Sequence, residues 1–342
     1  MLSTLPSRTI RCLIQDVSQV GESRRLGQEL AAQLAFDTTQ AGKLAIVTTE
    51  LANNIIKHGT AGELLFRPLE HAGEPVGVEV LAIDNGRGMG DVARHLVDGY
   101  STAGTSGTGL GAIRRLADDF AIYSTPGKGT AIVSRVRANG RAVAADRYRL
   151  GAVCVEKPGE AISGDGWCVV QRADTLLAMV VDGLGHGALA AEAAHEAIRV
   201  ASETSIAQPA QLVELIHSAL QKTRGAAVAV AAIAGVKATL RYAGLGNIAG
   251  AVLSGSGEQR RSLISQNGTA GVEARRIQEY TYPWERNAML VMNSDGLKNW
   301  NIDNYIDVPR HDPAVIAGLL YRDFRRGTDD VTVLAVAEQS KH

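Results

Sequence analysis

Aspartate and glycine fall together at the ends of apolar runs in both halves of this chain, and a run that must deliver a carboxylate to a tight turn is most simply a strand of a sheet. The first half reads TTELANNIIKHG, then AIDNGRGMGD, then GTSGTGLGAIRRLADDF. The second reads SGDGW, then MVVDGLGHG, then VMNSDGL, then GTDDVTVL. Glycine permits the sharp turns and aspartate favours them. Between the two sets, ANGRAVAADRYRL (138–150) loses clear periodicity and carries several charges. The expected boundary lies there, with one domain at 1–140 and a second at 149–340. A chain of 342 residues is long enough for each to bury its own core.

Charge excludes two classes of partner. The chain has 35 Lys and Arg against 36 Asp and Glu, so neither a nucleic acid nor an anionic membrane is expected. Its three cysteines, Cys12, Cys154 and Cys168, form no CxxC pair, which fits a reducing cytoplasm. No window reaches eighteen apolar residues, and no apolar core with a cleavage site marks an export signal at the start.

Periodicity sets the fold class. Leu26, Leu30 and Leu34 have helical spacing, and a second helix is expected from about Gln40 to His58. Val76, Val78 and Val80 alternate as in a strand that ends at Asp84, and GAIRRLADDF reads as a helix before two strands around a Pro-Gly-Lys-Gly turn. This half is expected to be an α/β sandwich. In the second half, apolar runs from 152 to 337 read as many strands with helices at 188–202, 209–222 and 313–324, hence a β-sandwich flanked by helices.

In the first half, Glu50, Asn54 and His58 are spaced by four and share a helix face, beside an apolar face of Val47, Leu51 and Ile55. A carboxylate and an amide oxygen one turn apart suit a metal-bound triphosphate, Glu50 accepting a proton and Asn54 offering a hard oxygen to Mg. Taken alone, they are an ordinary polar helix face. Asp84 ends a strand and is followed by Gly86 and Gly88, which let backbone approach a flat ring, and the GTSGTGLG loop presents N–H groups to phosphate at a helix start. Together ELANNIIKHG, DNGRGMG and GTSGTGLG resemble the N, G1 and G2 boxes of the GHKL (Bergerat-fold) ATPases. Residues 43–137 are most similar to the small serine kinases of bacterial partner-switching systems, the RsbT and RsbW group. The resemblance implies ATP with Mg as cofactor, Glu50 as general base, Asn54 as Mg ligand and Asp84 as adenine partner. It further implies that Gly107, Gly109, Leu110 and Gly111 line the phosphates and that Thr130 closes the adenine side. No phosphoacceptor-histidine helix precedes these boxes, which excludes a sensor histidine kinase.

In the second half, Asp165, Asp182, Asp295 and Asp329 lie at four separated points, each adjoining glycine or another aspartate. Singly, each is an ordinary turn residue. Gathered together, they would repel unless a cation neutralised them. Hard oxygens suit Mg or Mn, and two such ions about 3.5–4 Å apart activate water and brace a phosphoryl group. The strings SGD, VVDGLGHG, NSDGL and TDDVTVL resemble the metal motifs of PPM-type Ser/Thr phosphatases, closest to the SpoIIE and RsbX branch. That resemblance implies a catalytic Asp182 that bridges two Mn or Mg ions with the Gly183 carbonyl, Asp165, Asp295 and Asp329 completing the shells, and Asp330 as rival to Asp329. His186 is read as a cap on the following helix, with general acid as the alternative. No arginine is obviously placed as a phosphate clamp.

The sequence thus points to a cytoplasmic phosphatase joined to an ATP-binding, kinase-like domain. The implied partners are phosphorylated STAS-domain antagonists or stressosome proteins. A bifunctional kinase and phosphatase, and a nucleotide-gated docking module with a phosphatase attached, are the alternatives.

Overall fold

The computed structural model describes residues 3–4, 9–71, 74–96, 109–138, 147–256, 259–302, 305 and 308–338. They form two compact units, Ser7–Glu70 with Glu74–Ala144, and Met1–Pro6 with His71–Gly73 and Ala145–His342. The mixed α/β character expected from the sequence is present. The opening strand, β1 (Ser3–Thr4), counts with the second unit.

The first unit runs β2 (Ile10–Ile14), α1 (Ser18–Gln33), α2 (Thr38–His58), β3 (Gly62–His71), β4 (Glu74–Asp84), α3 (Val92–His95), α4 (Gly109–Leu116), β5 (Asp119–Ser124) and β6 (Thr130–Arg137). Its sheet has the order β2-β3-β4-β6-β5. Asp37 starts α2 by accepting the Gln40 amide hydrogen at 2.8 Å, a side-chain cap worth about 1 kcal/mol. One stripe of α2, Leu44, Val47, Leu51 and Ile55, packs with Leu64 and Phe66 of β3, Val78 and Val80 of β4, and Ile132 and Val136 of β6. That stripe turns the neighbouring face, with Glu50 and Asn54, toward α4.

Strand β3 has no counterpart in the sequence reading. Its GELLFRPLEH breaks the polar-apolar alternation because two of its charged residues, Glu63 and Arg67, are themselves buried. Arg67 gives Glu79 of β4 a bond of 2.7 Å, and Arg135 of β6 takes the other Glu79 oxygen at 2.7 Å. The charge row across three strands satisfies groups that would be costly to bury alone.

The second unit continues with β7 (Tyr148–Val155), β8 (Asp165–Arg172), β9 (Thr175–Gly183), α5 (Ala188–Glu203), α6 (Pro209–Ala219), β10 (Ala226–Ala234), β11 (Thr239–Leu245), β12 (Ala249–Leu253), β13 (Arg260–Leu263), β14 (Tyr280–Pro283), β15 (Met289–Asn293), α7 (Pro313–Phe324) and β16 (Val331–Glu338). One sheet has the order β1-β8-β9-β10-β11-β14, the other β13-β12-β15-β16-β7. Trp167, Val180, Tyr242 and Ala231 of the first share a core with Leu290, Met292, Leu334 and Val336 of the second. On the other face of the first sheet, Val181, Val228 and Val230 pack under Ala194, Ala197 and Ile198 of α5 and Leu212, Val213 and Ile216 of α6. Helix α7 lies against β7, where a Cβ on Gly151 would stand 2.0 Å from the Ala314 nitrogen, so only glycine fits. Strands β13 and β14 are further elements absent from the sequence reading; they are short and largely exposed, and carry little apolar signal.

Candidate functional site

Each unit gathers its own set of polar residues. In the first, Glu50 and Asn54 project from α2 onto the start of α4. A Cβ on Gly109 would lie 3.0 Å from Glu50 Oε2 and 3.5 Å from Asn54 Oδ1. A side chain at position 109 would press on both oxygens, which stand at the positive end of a helix, and Leu110 and Gly111 follow in its first turn. The Asn54 Nδ2 is buried and has no hydrogen-bond partner among the described residues. A buried amide in that state is stabilised by any ligand oxygen that reaches it. Gly107 lies outside the described residues.

Asp84 stands at the end of β4, directly opposite Thr130 of β6. One of its oxygens accepts the Gly86 amide hydrogen at 2.7 Å, which sets the carboxylate at the mouth of the glycine turn. Thr130 and Ser124 share a bond of 2.9 Å, and the Ser124 hydroxyl also takes the Met89 amide at 2.8 Å, tying β5, β6 and the Gly86–Gly88 turn together. Gly129 has a φ of 72° and a Cβ there would fall 2.0 Å from the Asp84 carbonyl, so the close approach needs glycine. His58 is drawn below its ordinary pKa, first by burial and then by Arg87, whose guanidinium lies 3.4 Å from Nδ1. The structure therefore brings Glu50, Asn54 and Gly109 into one group, and Asp84, Gly86 and Thr130 into another.

In the second unit the aspartates arrive from both sheets at one edge. Asp165 begins β8 and faces Asp182 at the end of β9 in register. Asp295 follows β15, and Asp329 and Asp330 precede β16. Ser294 donates its hydroxyl to Asp165 at 2.5 Å and accepts the Thr332 amide, joining the two sheets at this edge. The electrostatics record the crowding. Burial, with Asp295, Asp329 and Asp330 behind it, pushes Asp182 up to about 7. Burial and Asp182 hold Asp165 well above the usual carboxylate range. Asp295 is raised by burial and Asp329, while Arg326 and a 2.8 Å bond from Asn247 work against the rise.

Asp182, Asp295 and Asp329 line a cleft of about 440 Å³ together with Lys157, His186 and Asn247. Asp165 lies behind it, buried under Ser294. Asp330 is turned inward: its two oxygens accept the backbone amides of Lys157 at 2.8 Å and Gly164 at 3.0 Å. Asp329 is thus the one of the pair that faces the cleft. Among the described residues, no three His, Cys, Asp or Glu side chains close around a common point as a ready-made cage. Mg keeps several waters and is commonly held by one or two carboxylates, so a loose set of hard, mutually repelling oxygens fits it.

Two readings of the sequence change here. His186 is no helix cap, since Gly187 occupies that position without a side-chain bond; instead Nδ1 of His186 pairs with Glu160 at 2.6 Å on the cleft wall. An arginine does reach a residue of the cleft wall: Arg224 Nη1 lies 3.2 Å from where a Cβ on Gly185 would be. Glu160, Lys157 and Arg224 were missed because they lie in loops without a repeating pattern, and only the fold brings them to the DGLGHG turn. His195 is exposed on α5 and Cys168 is buried in the core, as expected.

Comparison with known proteins separates the same halves. The family described as histidine kinase-like ATPase domain matches residues 14–135, and the family described as stage II sporulation protein E (SpoIIE) matches 172–338. The serine/threonine-protein kinase RsbT of Bacillus subtilis is 34% identical over 110 residues, which is 32% of this chain and 82% of that protein. The phosphoserine phosphatase RsbX of the same organism is 26% identical over 153 residues, 44% of this chain and 76% of that protein. A crystal structure of RsbX in complex with magnesium superimposes with a TM-score of 0.50 at 20% identity, covering 58% of this chain and 99% of that one.

Proposed function

We propose, for a chain that belongs to the family of the serine/threonine-protein kinase RsbT through its first half and carries a SpoIIE domain in its second, a metal-dependent protein-serine/threonine phosphatase joined to an ATP-binding, kinase-like domain. Its substrate in this reading is a phosphorylated STAS-domain antagonist or stressosome protein of a cytoplasmic partner switch. The observation that carries it is the arrival of Asp165, Asp182, Asp295 and Asp329 from two sheets at one edge, three of them on one open cleft.

In that cleft Asp182 and the Gly183 carbonyl would hold two Mg or Mn ions, with Asp165, Asp295 and Asp329 completing the ligand set. The ions, when bound, would supply a water made nucleophilic and neutralise charge on the phosphoryl group. Lys157, which lines the cleft, would receive part of the remaining phosphoryl charge, with Arg224 close to Gly185 of the cleft wall. With Nδ1 engaged by Glu160, His186 retains Nε2 as the ring atom able to pass a proton to the departing serine or threonine oxygen. In the first unit Asn54 would hold Mg on the triphosphate, Asp84 and Thr130 the adenine, and Gly109, Leu110 and Gly111 the phosphates.

The test is dephosphorylation of a phosphorylated STAS-domain protein with Mn or Mg, repeated with chelator and with Asp182→Asn. Turnover that is indifferent to chelator would remove the reading. Phosphotransfer by the first unit is a second reading, favoured by Glu50 Oε2 standing beside Asn54 Oδ1 over Gly109. Labelled γ-phosphate reaching a STAS-domain protein in the Asp182→Asn background, and failing to do so with Glu50→Gln added, separates it from nucleotide binding alone.

A further inference from the structure

Behind the aspartates runs a chain of buried hydrogen bonds. Asn293 ends β15, Ser294 follows it and Trp300 lies beyond; all three are buried, and none of them lines the cleft. Trp300 Nε1 donates to Asn293 Oδ1 at 2.8 Å, and Asn293 Nδ2 donates to the Ser294 carbonyl at 2.8 Å. The Ser294 hydroxyl donates to Asp165 Oδ2 at 2.5 Å and accepts the Thr332 amide at 2.9 Å. At the outer end, the guanidinium of Arg260 in β13 stacks over the Trp300 ring at 4.3 Å.

The donors fix the direction of every bond, because an indole nitrogen and a backbone amide can only donate. Trp300 therefore sets Asn293 with its oxygen toward the indole and its NH2 toward Ser294. The Thr332 amide likewise leaves the single hydroxyl proton of Ser294 to Asp165. Two aspartates from different sheets are reached in this way. Through its hydroxyl, Ser294 holds one oxygen of Asp165, whose strand partner is Asp182. Through its carbonyl, which also accepts the Leu297 amide at 3.4 Å, it opens the turn that carries Asp295.

We propose that Ser294, Asn293 and Trp300 are positioning residues for the divalent-metal site, holding Asp165 and Asp295 at a set spacing before any ion arrives. The inference rests on the reading of the aspartates as metal ligands. Like-charged carboxylates repel, and a buried network that fixes two of them lowers what an ion must spend to gather them. Groups behind the ligands commonly govern metal affinity by about tenfold to a hundredfold. A residue that served packing alone would lower the melting temperature and leave the affinity of the folded chain for metal unchanged.

The experiment measures Mn binding to the metal-free full chain by calorimetry, with Tm followed in chelator, for the wild type, Ser294→Ala, Ser294→Thr and Trp300→Phe. Ser294→Ala should weaken Mn binding by about tenfold or more, and Ser294→Thr, which keeps the hydroxyl, should recover most of the loss. Trp300→Phe keeps a ring beneath Arg260 and removes the indole N–H; it should weaken Mn binding by about threefold to tenfold. Wild-type affinity in Ser294→Ala and Trp300→Phe would overturn the proposal, as would a Ser294→Thr protein that melts like the wild type yet binds Mn as weakly as Ser294→Ala. Should Ser294→Ala fail to fold, Trp300→Phe decides, and an unchanged Mn affinity there overturns the positioning role. A wild-type chain that binds Mn but hydrolyses no p-nitrophenyl phosphate would overturn the phosphatase reading, while the affinities still decide the positioning. A wild-type chain that binds no Mn would overturn both.

Discussion

Replacing Asp330 and Asp329 one at a time should separate holding the cleft from working in it. Asp330 is 3% exposed and its two oxygens take the backbone amides of Lys157 and Gly164, the ends of the loop that carries Glu160 to His186. Asp330→Asn keeps one oxygen but turns an NH2 group toward a backbone N–H, so one buried donor loses its partner at a cost of about 1–3 kcal/mol. Neutralising the side chain also relieves the repulsion that raises both Asp182 and Asp330. The net loss should therefore sit near the low end, about 1–2 kcal/mol, or roughly 2–8 °C in Tm for a unit of this size. Asp329 lines the cleft, and the bond its Oδ1 accepts from the Asp330 amide at 3.0 Å survives in asparagine. Asp329→Asn should leave Tm within about 1 °C while turnover falls about a hundredfold, since metal assistance is worth several kcal/mol. Melting is followed in chelator, because bound metal would stabilise the folded state by itself, and turnover is followed on p-nitrophenyl phosphate with Mn. A lower Tm for Asp329→Asn than for Asp330→Asn would refute the division of roles.

Asp182→Asn should abolish hydrolysis of a phosphoserine substrate without unfolding the chain; more than about a tenth of wild-type turnover, against several kcal/mol of metal assistance, would sink the site assignment. Burial and its acidic neighbours raise Asp182 in the folded state to about 7, so the metal-free folded chain binds more protons than the unfolded one. The stability Asp182 contributes to the second unit should be fully present below about pH 3.8 and be lost as pH rises through about 7, while the lowered His58 of the first unit works in the opposite sense. Melting in chelator between about pH 5 and 8 checks this slope, and a flat or rising curve would contradict the crowding. Calorimetry with a non-hydrolysable ATP analogue should show Asp84→Asn weakening binding more than Glu50→Ala, since in the proposed division Asp84 would hold the base and Glu50 would act on chemistry; equal losses would mean the roles are wrongly divided.

Much of this was legible in the sequence because strand ends announce themselves. Asp182 closes the apolar run TLLAMVVDG and Asp84 closes EPVGVEVLAID, so each carboxylate could be placed at a sheet edge before its neighbours were known. What stayed hidden depends on partners far apart in sequence. The β3 strand failed the alternation test because Arg67 is matched by Glu79 and Arg135 on other strands. Asp329 and Asp330 are indistinguishable by pattern, and only the Lys157 and Gly164 amides, more than 160 residues away, show which of them faces inward. The same holds for Arg224, whose nearness to Gly185 follows from the pairing of β9 with β10.

A kinase-like unit and a phosphatase on one chain pose a problem of energy: if both acted at once on the same serine, the net reaction would be ATP hydrolysis and the mark would carry no information. The two activities must then be separated, by substrate or by state. Separation by state requires that nucleotide bind the phosphatase-active and phosphatase-inactive forms with different affinity, for a ligand that binds both equally shifts nothing. A fivefold change in output needs about 1 kcal/mol of such coupling, a small fraction of what a nucleotide site can supply. Dephosphorylation of one phosphoserine substrate, measured with and without a non-hydrolysable ATP analogue at constant free metal, should therefore differ by about that factor. Holding free metal constant matters, because chelation by nucleotide would lower the rate through the aspartate cleft alone. Asp84→Asn removes the carboxylate proposed to hold adenine and leaves the aspartate cleft unchanged, so a true coupling should disappear in it. A rate unchanged by the analogue in the wild-type chain would leave separation by substrate as the way the two chemistries coexist.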